Sequence, residues 1–65
     1  MHLYRFHFLD VDGGVTRRHS VRLPTAVAAT NLGHQMLAEC SDCSALEVWH
    51  LNHLVHREGK SKAAA

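Results

Sequence analysis

Cysteine is scarce in this chain, and what there is does not build a scaffold. Two cysteines, Cys40 and Cys43, in 65 residues are too few for the disulfide framework of a small secreted fold. No charged, apolar and small-residue leader precedes the Met1–Phe8 stretch, so the expectation is a cytoplasmic chain with reduced thiols. No apolar run approaches the roughly 20 residues that cross a bilayer, which argues against membrane insertion. Neither sign of charge dominates: seven Lys and Arg stand against six Asp and Glu, for a net charge of +1. That balance does not announce a nucleic-acid binder. No nucleophile with a base, no facing pair of carboxylates and no cofactor fingerprint is recognisable. The expectation is therefore a noncatalytic protein with no cofactor.

Seven histidines are many for this length and would make the chain cationic in acid. A chain this short buries only about 60% of the surface its unfolded form exposes. Disulfides, a metal or a partner subunit are the usual supports for so thin a core.

Periodicity organises residues 1–58 as a single domain. Leu3 to Leu9 alternates, with Tyr4, Phe6 and Phe8 on one side and Arg5 and His7 on the other, as a half-buried strand does. Asp12-Gly13-Gly14 supplies the positive φ angles of a hairpin turn. Val15 to Leu23 returns as a second strand, with Val21 and Leu23 inward and Arg18, Ser20 and Arg22 outward. Its first half has few inward apolar side chains and reads as frayed, bulged or an edge.

Pro24 ends the strand and Thr25 is the expected N-cap of a helix over about 25–40. Ala28, Ala29, Leu32, Met36 and Cys40 recur on its apolar stripe, flanked by Leu37. Gly33 weakens such a helix by about 1 kcal/mol relative to Ala. Ala45 to Arg57 reads as a second hairpin around an Asn52-His53 turn. Residues 59–65 read as a polar tail whose final alanines resemble an expression remnant. The predicted fold is α+β with the order ββαββ: two hairpins forming an antiparallel sheet, with one helix packed on one face.

The run Tyr4-Arg5-Phe6-His7, the Asp12-Gly13 turn, Val21-Arg22-Leu23-Pro24 before an Ala-rich helix, and the closing Val-Trp-His-Leu hairpin resemble a family of short uncharacterised bacterial proteins. The similarity reaches nearly to Arg57. The helix departs from the family pattern at Thr30, Asn31 and Gly33. This resemblance implies a small domain and carries no activity with it. A partial likeness to the N-terminal domain of antitoxins of the HicB type implies a partner-binding alternative.

Three constellations stand out. In the first, the predicted register puts Leu46, Val48 and Val55 on one face of the last hairpin and Trp49, Leu51 and Leu54 on the other. One helix shields one face only, so the second set predicts a homodimer or another protein partner. In the second, Arg5, His7, Arg18 and Arg22 fall on the outward side of the first hairpin as a candidate basic patch for phosphates; the plainer reading is a solvated face. In the third, Cys40 and Cys43 have the spacing that lets two thiolates share a zinc ion, with His50, His53 and His56 downstream. The plainer reading there is a core Cys40 and a loop Cys43. The favoured reading is a small, self-associating interaction or regulatory module.

Overall fold

A computed structural model describes residues 1–60 of the chain. Its elements are β1 (His2–Leu9), β2 (Val15–Leu23), α1 (Ala26–Glu39), β3 (Ala45–His50) and β4 (His53–Gly59). The four strands form one antiparallel sheet in the order β2-β1-β3-β4, with the helix lying mainly over β3. This is the ββαββ α+β arrangement read from the sequence.

The first turn closes as its residues dictate. The Asp10 carboxylate accepts hydrogen bonds from the Asp12 and Gly14 amides, both at 2.9 Å, and Gly13 takes φ +87°, a conformation that glycine adopts without a Cβ clash. β2 then runs along an edge of the sheet. Its pairing with β1 slips between Phe8 and Leu9, so Thr16 is the extra residue of a bulge. An edge position and a bulge together account for the weak inward pattern at the start of β2.

Pro24 and Thr25 mark the helix start. The Thr25 hydroxyl accepts from the Ala28 amide at 3.1 Å, which satisfies one of the free amides of the first turn. The helix buries Ala29, Gly33 and Leu37, with Leu32, Met36 and Cys40 flanking them. The centre of the stripe is thus one position away from the Ala28-Leu32-Met36 line of the sequence reading. Beneath it, Phe6, Phe8, Leu46 and Val48 are fully buried, with Tyr4 and Cys43 alongside.

The last hairpin corrects the expected register. The turn is Leu51-Asn52, not Asn52-His53, because His50 pairs with His53 and Trp49 with Leu54. Leu51 takes φ +56°, which lets the chain reverse one residue early. A bulge at Val55 then takes up the difference, so that Val48 pairs with His56 and Leu46 with Glu58. The bulge keeps Val55 packed against the core although the turn has moved.

The C-terminal boundary also differs. Gly59 belongs to β4, and the Lys60 amide donates to the Ser44 carbonyl at 2.8 Å while its ammonium reaches the Cys40 carbonyl. The remainder of the expected tail lies outside the described residues. No described helix is long and apolar enough to cross a membrane.

Candidate functional site: the sheet face without a helix

Pairing across the strands sorts the outward side chains into rows. Arg18, His7, Glu47 and Arg57 form one row across all four strands. Ser20, Arg5, Trp49 and Leu54 form the next. Arg22 and Leu3 form a third, which ends near the Leu51-Asn52 turn, since Leu3, Arg5, Leu51 and Asn52 line one depression. The alternation that buries Tyr4, Phe6 and Phe8 beneath the helix is what turns Leu3, Arg5 and His7 away from it.

The structure therefore unites two sets that the sequence had kept apart. The basic patch of Arg5, His7, Arg18 and Arg22 and the apolar set of Trp49, Leu51 and Leu54 occupy one surface. Arg5 is the Cα partner of Trp49, and the His7 and Trp49 rings lie 6.5 Å apart at 37°. Arg5, His7, Trp49, Leu51 and Asn52 line a shallow depression of about 270 Å³. Leu51 is 74% and Leu54 46% exposed.

Charge on this face is lopsided although the chain's is not. It carries Arg5, Arg18, Arg22 and Arg57 against a single carboxylate, Glu47. Glu47 is already engaged, accepting from the Trp49 indole at 3.3 Å and facing the Arg57 guanidinium at 3.8 Å. Among the described residues, Arg5, Arg18 and Arg22 form no ion pair with a carboxylate of the chain. The other acids sit elsewhere: Asp10 and Asp12 in the first turn, Glu39 and Asp42 at the helix end, and Glu58 toward the helix.

The cysteine expectation is corrected. Cys40 and Cys43 are joined as a disulfide, with Cα atoms 5.4 Å apart, so the thiols are not reduced. Two lone cysteines are weak evidence of redox state; what composition could not show is that the helix end folds back to bring the sulfurs together. Nor does the structure gather the candidate zinc ligands. Cys43 precedes β3, whereas His50 and His53 face each other at its far end, about 20 Å away at the rise of an extended strand. His50 instead lies against the Tyr4 ring, tilted, and edge-on to the His2 ring, with centroids 5.2 and 5.1 Å apart. The metal-ligating atoms that do converge, on Cys40, Asp42 and Cys43, include both disulfide sulfurs.

One cluster escaped the sequence reading. Glu58 on β4 bridges His34 of the helix, at 2.7 Å, and His56 of its own strand, at 2.9 Å. Burial pushes the Glu58 carboxyl upward, but the hydrogen bonds and positive charge of the two histidines outweigh it and hold it below its ordinary value. Only the observed register of β4 turns Glu58 toward the helix, so no local signal identified it.

No family model matches this chain, and neither does any curated protein or solved structure.

Proposed function

We propose that this protein is a small noncatalytic binding module whose working surface is the sheet face opposite the helix. The observation that carries this reading is the convergence of Arg5, Arg18 and Arg22 with Trp49, Leu51 and Leu54 on that one face. Guanidiniums, an indole and leucines are groups that hold partners. Leu51 strengthens the case. A leucine in the left-handed region costs roughly 1 kcal/mol, and at 74% exposure it gains little packing in return. A residue that is unfavourable locally and unused by the core is best explained by what it touches from outside.

A photo-crosslinking residue placed at Ser20, on this face, and separately at Gln35, on the exposed side of the helix, tests the reading in cells. Adducts that form at Ser20 and are absent at Gln35 are expected. Equal adducts at both positions, or none at Ser20, overturn it.

Self-association is a second reading, favoured by the exposed Leu51 and Leu54 beside a half-buried Trp49 over a thin core. A two-fold dimer through these residues needs a stable oligomer at micromolar concentration, which sedimentation measures directly. A monomer at all accessible concentrations removes it.

A further inference from the structure

We infer that the occupant of the helix-free face is a single strand of RNA, its phosphates held by Arg5, Arg18 and Arg22 and a base stacked on Trp49. This inference rests on the binding-surface reading above and names the partner.

Charge is the first argument. A second copy of the chain docked over the whole of this face, with a two-fold axis at its centre, would set one cation-rich surface against another, and like charges across an interface oppose association. A polyanion meets no such opposition. Three guanidiniums without a carboxylate partner among the described residues, on a face whose acid Glu47 is occupied, are what counterion release on a phosphate chain requires.

Shape is the second argument. Trp49, half-buried, lies on an interior strand near the Leu51-Asn52 turn, next to Arg5 in its own row and to His7 at 6.5 Å. An aromatic platform among cations on an antiparallel sheet suits unpaired bases, each of which offers a π-face. A duplex hides those faces, and the helix, the element suited to a major groove, lies on the other side of this sheet. The sugar is the third argument. Ser20 and Asn52 border the Arg5–Trp49 pair and offer side-chain oxygens to ribose 2′-hydroxyls, which DNA lacks.

The test is fluorescence anisotropy of the full chain with a labelled, mixed-sequence RNA of about 12 nucleotides, within the span that sheet-based single-strand binders cover. Saturable binding is expected, with log affinity falling against log salt at a slope of about −2 for three phosphate contacts. Arg18→Ala and Arg22→Ala should each reduce that slope by about 0.7. Trp49→Ala should weaken binding about tenfold at unchanged slope, with Trp49→Phe recovering most of the loss. Trp49 is the chain's single tryptophan, so its quenching by RNA reports contact at the site itself. Asn31→Ala, on the helix, should change nothing.

Absence of binding at low salt, or arginine variants that bind like the parent, would overturn the proposal. Equal affinity for the matching DNA strand overturns the choice of sugar, and equal affinity for the RNA duplex overturns the stacking argument. Protein adducts at Ser20 without RNA binding sink the RNA occupant and leave the binding surface standing; no adduct at Ser20 sinks both.

Discussion

A Cβ built on Gly33 of the helix would stand 2.6 Å from Leu46 Cδ2 on β3 and 3.0 Å from the Phe6 ring. Leu46 and Phe6 are both fully buried, so neither can swing aside. Gly33 thus lets the helix sit close against the sheet, and the helix propensity lost there is returned as close packing. Gly33→Ala should lower stability by about 1–2 kcal/mol despite a propensity gain of about 1 kcal/mol. Urea denaturation checks this; a more stable variant would mean that the helix rides higher on the sheet than described.

The Cys40–Cys43 disulfide spans a separation of three residues and ties the helix end to the start of β3. A loop this short restricts the unfolded chain only modestly, by about 2 kcal/mol in the chain-entropy account. Adding a reductant should lower the unfolding midpoint by that order while the far-ultraviolet circular dichroism at low temperature stays native. Cys43 is buried in the core cluster, so Cys43→Ser should cost more than reduction does. Equal costs would show that the buried sulfur contributes no packing.

Glu58 gives stability a defined dependence on pH. Its carboxyl lies below the ordinary value of 4.5 in the folded protein, so the unfolded chain binds that proton more tightly. The stabilisation is complete above the unfolded value and is lost as pH falls through the lower, folded one. Denaturation midpoints should therefore fall as pH drops below the ordinary carboxylate range. The fall should be shallower in Glu58→Gln, which carries no such proton. Identical slopes in the two proteins would show that the contacts with His34 and His56 do not persist in solution.

Leu51 is the residue whose replacement should help the fold. Asparagine tolerates the left-handed region far better than leucine, so Leu51→Asn should stabilise the protein by up to about 1 kcal/mol. The same change removes exposed apolar surface from the rim of the working face. A gain in stability paired with weaker partner binding is the expected result. A loss of stability would mean that Leu51 packs in a way its exposure does not reveal.

The parts of the fold that local chemistry determines were legible in the residues. Tyr4-Arg5-Phe6-His7-Phe8 has a two-residue period and nothing to compete with it, and Pro24-Thr25 both ends a strand and caps a helix. The last hairpin was legible only as a hairpin. Asn52 suits the first position of a turn, which favoured Asn52-His53; the chain instead turns at Leu51-Asn52 and corrects its facing with a bulge at Val55. A bulge satisfies the whole sheet, and nothing within four residues of it declares it. Glu58 was hidden for the same reason, since its side is set by that bulge.

The working face was half legible. Arg5, His7, Arg18 and Arg22 could be placed outward from alternation alone, and so could Trp49 and Leu54, whereas Leu51 reaches the face from the turn. Their union depends on β1 pairing with β3, a contact between strands separated by the whole helix. Near-neutral net charge concealed the rest: the acids that balance these arginines lie on other surfaces.

The most direct test of the central claim is a chemical-shift map of the isotope-labelled protein titrated with the RNA strand. The largest changes are expected on Arg5, His7, Arg18 and Trp49, including the indole N–H, while Asn31 and Gln35 on the helix hold still. Changes centred on the helix, or spread evenly over the molecule, would contradict it.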